Sequence, residues 1–164
     1  MSMPAAAADS EPASASPGTY IHATALAIGE AGLLIRGRSG SGKSRLTLEL
    51  LEEAGRRGLF ARLVGDDRVA IARRGGRLIA RGHPRIAGQI ESRGDGILEL
   101  AHEEAVVIRL VVDLGGESTA APIRLPADSR ISLCDIDLPQ LSLTAPRPEQ
   151  AGIVLNYLLR MGDG

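Results

Sequence analysis

Eight consecutive residues, Gly37-Arg38-Ser39-Gly40-Ser41-Gly42-Lys43-Ser44, carry the first chemistry in this chain. They fit G-x-x-x-x-G-K-[ST], a loop that binds phosphates. Three glycines let the backbone turn tightly and aim several N–H groups inward. With the start of a following helix, those groups form a cradle for polyphosphate. Lys43 is placed to reach the outer phosphates, and the Ser44 hydroxyl to ligate Mg²⁺. Of the 19 basic residues, Lys43 is the only lysine. It stands where a compact ammonium on a flexible stem is needed, which a planar guanidinium does not imitate.

Three further groups could act beside this loop. Asp66-Asp67 follows an apolar run, Phe60-Ala61-Arg62-Leu63-Val64-Gly65. Acids at the carboxyl end of such a strand lie near the ligand crevice of an α/β fold. They could hold Mg²⁺ or accept a proton from a substrate hydroxyl, and an Asp-rich turn is the plain alternative. Glu91-Ser92-Arg93-Gly94-Asp95-Gly96-Ile97 packs two carboxylates, an arginine and two glycines into a short span. Glu91 could ligate a metal and Arg93 could stabilise a transferring phosphoryl group; a charged surface turn explains the same residues. Asp113 ends the run Val106–Val112 and rivals Asp66-Asp67 for the role of Walker-B-type acid. His22, alone on a strand, reads by itself as structural.

The elements that position these residues follow from periodicity. Tyr20 to Ile28 reads as a strand, Gly29 to Gly32 as a turn and Leu33 to Ile35 as the return strand. Ser44 to Arg57 reads as a helix, with Leu46, Leu50 and Ala54 on one face, Leu51 beside them, and Gly55 and Gly58 at its end. Val69–Ala72 and Leu78–Arg81 flank Gly75-Gly76 and predict a hairpin. Around it cluster Arg73, Arg74, Arg77, Arg81 and Arg85, a solvated face or a surface for an acidic or phosphorylated partner. Val106 to Asp113 is nearly continuous and β-branched, as in a central strand. Ile123–Leu125, Ile131–Leu133 and Leu141–Leu143 read as short strands. A helix from about Glu149 to Met161 follows Pro146-Arg147-Pro148, with Ile153, Tyr157 and Leu158 on one side.

Composition narrows the classes. The 164 residues suit one domain with a real core. Aromatic residues are only 2%, so Leu, Ile, Val and Ala must fill that core, and base stacking on exposed rings is not the expected mode of action. A net charge of −1 argues against nucleic acid as partner. The single cysteine, Cys134, excludes an internal disulfide and a Cys-based zinc site, and reads as a small core residue. No apolar run is long enough to span a membrane, and the N-terminus lacks the apolar stretch of a signal peptide; a cytoplasmic protein is expected. Residues 1–18 read as a disordered Ala/Ser/Pro tail and 19–164 as the folded domain.

Five pieces together resemble the catalytic domain of the HPr kinase/phosphorylase family, bacterial regulators of the sugar phosphotransferase system. They are Ile21-His22-Ala23, the loop Gly37–Ser44, Leu63-Val64-Gly65-Asp66-Asp67-Arg68-Val69, Ile90–Ile97 and Leu138-Pro139-Gln140-Leu141-Ser142-Leu143. The resemblance implies an α/β fold of the HPr kinase/phosphoenolpyruvate carboxykinase type, a mixed sheet with flanking helices. It implies a protein-serine kinase using ATP and Mg²⁺, with HPr or an HPr-like phosphocarrier as partner and a hexameric assembly. By resemblance, Gly37 to Ser44 bind ATP, and Ser44 and Glu91 face the metal; Asp66 joins them as a metal candidate from its place at the strand end. Asp67 is the catalytic proton acceptor, with His22, Lys43, Arg93 and Arg124 around the phosphates; Arg124 rests on the loosest alignment.

The chain also departs from the family's pattern. Arg45 replaces the usual acid after the loop serine, and Asp95 an apolar residue. Arg147-Pro148-Glu149-Gln150-Ala151 stands where the family has Arg-Pro-Gly-Arg-Asn, a segment linked to dephosphorylation. The forward kinase reaction is therefore expected more firmly than phosphorolysis. Two other readings fit the loop: a small-molecule kinase with Asp113 as its Walker-B acid, and a nucleotide-binding regulator without catalysis.

Overall fold

The computed structural model describes residues 18–115, 129–143 and 148–162. The tail 1–17, the strand expected at Ile123–Leu125, Arg124 and the Pro146-Arg147 pair lie outside these residues.

Eleven strands and two α-helices are described: β1 Thr19–Ile21, β2 Ala23–Ile28, β3 Ala31–Arg36, α1 Lys43–Arg56, β4 Ala61–Gly65, β5 Val69–Arg74, β6 Arg77–Gly82, β7 Gln89–Ser92, β8 Gly96–Glu99, β9 Ala105–Leu114, β10 Arg130–Leu133, β11 Ile136–Leu143 and α2 Pro148–Gly162. The main sheet runs β1-β5-β6-β9-β3-β2-β4, with β11 also on β9 and β10 on β11. It is mixed. β3 and β11 pair parallel to β9, whereas β6 pairs antiparallel to it. β7 and β8 form a separate hairpin. The architecture is the expected α/β fold with a mixed sheet and flanking helices.

β9 is the hub, because it pairs with β6, β3 and β11. Its register on β3 slips between Gly32 and Leu33, where Ile108 and Leu110 are the consecutive partners. Arg109 is thus skipped and points to solvent. A bulge of this kind shifts which side chains face each layer.

Two apolar clusters fill the layers. Leu26, Ile28, Leu33, Ile35, Leu110 and Val112 pack on one face against Leu46, Leu50 and Ala54 of α1 and Val154, Leu155 and Leu158 of α2. Ala23, Ala25, Ala27, Leu34 and Val111 face the other way, against Val69, Ile71, Leu78 and Ala80. β2 is buried along its whole length, small residues on one face and large ones on the other. The α1 face is the expected one. On α2 the buried stripe is Ala151, Val154, Leu155 and Leu158, while Ile153 is exposed. This corrects the predicted stripe: 151, 154, 155 and 158 follow i, i+3, i+4, i+7, and Ile153 lies about 150° around the helix from the centre of that stripe.

Cys134 is a second correction. It is exposed, in the two-residue turn between β10 and β11. Cys134 and Asp135 have φ of 50° and 64°. Positive φ at both positions is what a tight hairpin turn matching the strand twist requires, and it takes Cys134 out of the core.

Glycine decides one contact near the site. A Cβ on Gly82 would sit 2.1 Å from the Val64 carbonyl oxygen, and one on Gly65 would sit 2.7 Å from Gly82 Cα. Only glycines let the ends of β4 and β6 approach so closely. Asp66 and Asp67 leave β4 at that point.

Candidate active site

The phosphate loop lies between β3 and α1 as its motif requires. Gly40 and Gly42 have φ of 83° and 103°, a region that side chains avoid. No side chain caps α1, and its first turn holds no acid. Its leading N–H groups therefore remain open for an anion. Lys43 is buried at 7% exposure. Its Nζ donates to the carbonyl oxygens of Gly37 at 2.7 Å and Arg38 at 3.0 Å. Burial pushes the Lys43 ammonium below its ordinary pKa of 10.5, while the charges of Asp66 and Asp67 pull the other way. Ser41 Oγ is buried within the loop without a hydrogen-bond partner. A loop with open N–H groups, an orphaned hydroxyl and a buried cation fits ATP and Mg²⁺.

The two adjacent acids have different surroundings. Asp66 is buried at 8% exposure, and the hydroxyl of fully buried Thr24 donates to its Oδ1 at 2.6 Å. Its Oδ2 accepts a long hydrogen bond from the Glu91 N–H at 3.4 Å. Asp67 is exposed, and its Oδ1 stands 2.8 Å from His22 Nδ1. The Arg68 N–H donates to the Asp66 carbonyl at 2.7 Å, closing a tight turn around Asp67. Asp67 has φ 68°, the strained region for a residue with a side chain. One acid is thus held inside as a strut, and the next is thrust outward.

The β7–β8 hairpin completes the site. Glu91 and Arg93 are exposed at its end. Arg93 Nη2 lies 3.6 Å from the point a Cβ on Gly40 would occupy, so the guanidinium reaches the phosphate loop. Asp95 closes the hairpin tip. Its N–H donates to the Ser92 carbonyl at 3.1 Å, and the Ser92 hydroxyl donates to its carboxylate at 3.4 Å.

Lys43, Ser44, Asp66, Asp67, Glu91, Arg93 and His22 therefore border one region, linked by the Glu91–Asp66, His22–Asp67 and Arg93–Gly40 approaches. His22 sits in the bend between β1 and β2, not within a strand as expected. Asp113 is different. Arg36 Nε donates to its Oδ1 at 2.7 Å and Arg36 Nη2 to its Oδ2 at 2.9 Å. The Gln140 amide also donates to Oδ2. The hydrogen bond to Asp113 raises the Arg36 pKa above its ordinary value. The acid at the end of β9 is occupied in bracing the strand that enters the loop.

Thr24 was not legible as a functional residue. The available signal was one hydroxyl inside an otherwise apolar strand, Ala23 to Ile28. Such a group needs a buried partner, and here it is Asp66.

A Gly-rich loop between strand and helix, faced by a hydrogen-bonded acid and an exposed acid, defines a P-loop domain built to hold phosphate. The model of the HPr Serine kinase C-terminal domain matches residues 13–145. This chain belongs to that family. The HPr kinase/phosphorylase of Mycoplasma mycoides subsp. mycoides is 39% identical over 85 residues, 52% of this chain and 25% of that protein. That of Chlorobium phaeobacteroides is 30% identical over 148 residues, 81% of this chain and 42% of that protein. The chain thus spans less than half the length of these curated relatives. The solved structure of the HPr(Ser) kinase/phosphatase from Coxiella burnetii matches with a TM-score of 0.71 and 25% identity, covering 88% of this chain and 99% of that one.

Proposed function

We propose that this chain is an ATP- and Mg²⁺-dependent serine kinase acting on HPr or an HPr-like phosphocarrier. The observation that carries the reading is the division of labour between the two acids. Asp66 is buried and bonded to Thr24, while Asp67 is exposed beside His22 and within the same site as Lys43.

In this reading Asp67 accepts the proton of the acceptor serine as the serine oxygen bonds to the γ-phosphorus. The bond from that phosphorus to the ADP oxygen breaks, and ADP leaves. His22 orients the Asp67 carboxylate. Lys43 and the open N–H groups of α1 hold the polyphosphate, and Arg93 neutralises charge on the transferring group. Ser44, Glu91 and Asp66 are the residues that would face Mg²⁺, which would supply charge neutralisation when bound. Among the described residues, no three His, Cys, Asp or Glu are placed to hold a metal ion together. Arg124 keeps its proposed place from the resemblance alone.

Kinase activity is proposed without efficient phosphorolysis, on the strength of Glu149-Gln150-Ala151. Glu149 is exposed in the first turn of α2, while Gln150 and Ala151 are buried. A cytoplasmic homo-oligomer, a hexamer by resemblance, belongs to the same proposal. No described helix is long and apolar enough to cross a membrane, and Phe60, Ile97 and Ile153 offer exposed apolar surface. Incubation with ATP, Mg²⁺ and HPr tests the reading. Phosphoserine should form with wild type and not with Lys43→Ala, and later addition of inorganic phosphate should release little of it.

A further inference from the structure

The surface beside Asp67 is open and basic. Tyr20, two residues before His22, is 41% exposed. Arg68, directly after Asp67, lies over the Tyr20 ring with Cζ 5.2 Å from its centroid. The His83 ring approaches Tyr20 from another side, with centroids 5.6 Å apart and planes tilted by 44°. His83 Nδ1 accepts the Arg85 N–H at 3.1 Å, which orients that ring at the start of the short turn Pro84–Ile86. In the sheet Tyr20 pairs with Ala70, and Ala70 with Arg81. Residues paired in this way project from the same face. Tyr20, Ala70 and Arg81 therefore form one row across β1, β5 and β6.

Among the described residues, no carboxylate answers the charges of this patch. Arg68, Arg81 and Arg85 are exposed and meet no carboxylate among the described residues. On α1 and at its C-cap the pattern is the opposite: Arg45, Arg56 and Arg57 each pair with a glutamate four residues away. Interfaces are enriched in tyrosine and arginine, because both give contact area and directed polar groups. The arginine cluster around the β5–β6 hairpin thus acquires a focus, an aromatic centre flanked by open guanidinium groups beside the exposed acid.

We propose that Tyr20, Arg68, His83, Arg81 and Arg85 form the docking surface for the protein substrate, and that they receive an acidic surface flanking its acceptor serine. This rests on the kinase reading above and specifies the chemistry of the partner. The acid at Asp67 attracts no acidic partner by itself. The arginines around it supply that attraction, and the Tyr20 ring fixes the approach while the serine hydroxyl reaches Asp67.

The test uses the full chain with HPr and compares Arg68→Glu, Arg81→Glu and Tyr20→Ala with wild type. Each variant should keep the thermal shift produced by ATP and Mg²⁺. Each should raise KM for HPr by about tenfold, with kcat within about threefold. The wild-type KM should rise with ionic strength, and Arg81→Glu should lose most of that dependence. Formation of phosphoserine with an unchanged KM in Arg81→Glu and Tyr20→Ala overturns the docking surface and leaves the kinase reading standing. Absence of phosphoserine with wild-type protein overturns both.

Discussion

Arg36 holds Asp113 with two hydrogen bonds, 2.7 and 2.9 Å long, across the parallel pair of β3 and β9. Arg36 is the last residue before Gly37, so the pair braces the entry to the phosphate loop. The Gln140 side chain adds a third hydrogen bond to Asp113, and Ser129 Oγ donates to Gln140 Oε1 at 3.2 Å. An acid so committed is a poor candidate for holding a metal or taking a proton. Asp113→Asn should lower stability by about 1–3 kcal/mol, the usual cost of weakening charged hydrogen bonds. Phosphoryl transfer should fall less than about tenfold, far less than with Asp67→Asn. Urea denaturation and initial rates on the same protein check both halves.

The buried Thr24–Asp66 hydrogen bond gives a second prediction. Thr24→Val keeps the shape and removes the donor, which leaves a carboxylate oxygen buried and unanswered. A loss of about 1–3 kcal/mol is expected, with Thr24→Ser much closer to wild type. Equal stability of the valine and serine variants in urea would show that Asp66 does not depend on this hydroxyl.

Sequence and structure agree most where local pattern decides the outcome. The strand–loop–helix setting of Gly37–Ser44, the hairpin at Gly75-Gly76, the α1 face and the central β9 are all readable from period and turn residues. Relationships between distant residues were not readable. Arg36 meets Asp113 only because the β3–β9 register aligns them, and Thr24 meets Asp66 only because β2 lies beside β4. The apolar residues of α2 allow more than one stripe, and packing against α1 and the sheet selects the one through Val154 and Leu155. The turn at Cys134-Asp135 lacks the glycine that announces such turns. Within the site, the convergence of His22, Asp67 and the loop came from resemblance. The opposite surroundings of Asp66 and Asp67 came from the fold.

Backbone strain at Asp67 predicts a conflict between stability and activity. With φ 68°, this residue is held in a conformation that suits glycine. Asp67→Gly should match or exceed wild-type stability by up to about 1 kcal/mol, despite glycine's greater freedom when unfolded, and should lose phosphoryl transfer. Asp67→Ala should be less stable than Asp67→Gly by about 1 kcal/mol. Thermal unfolding of the two variants side by side decides this.

Lys43 predicts two opposite pH trends. Its folded pKa is lowered by burial, so in alkaline solution the unfolded chain keeps this proton longer than the folded one. The ammonium's unfavourable effect on the nucleotide-free fold is fully present below the lowered pKa. It disappears as pH rises toward 10.5, so the Lys43 contribution to stability rises across that window. ATP affinity should fall over the same window, because the neutral amine no longer attracts phosphate. Calorimetric ATP titrations and unfolding curves at several alkaline pH values check the trends against Lys43→Met, which should lack both.

In the proposed reaction, Asp67 takes the serine proton during phosphoryl transfer to HPr. The most direct test is the single-turnover rate of phosphoserine formation on HPr, with saturating ATP and Mg²⁺, for wild type and Asp67→Asn. A fall of about 10²–10⁴ in that rate, with ATP affinity preserved, is the expected result. Transfer by Asp67→Asn at the wild-type rate would contradict it.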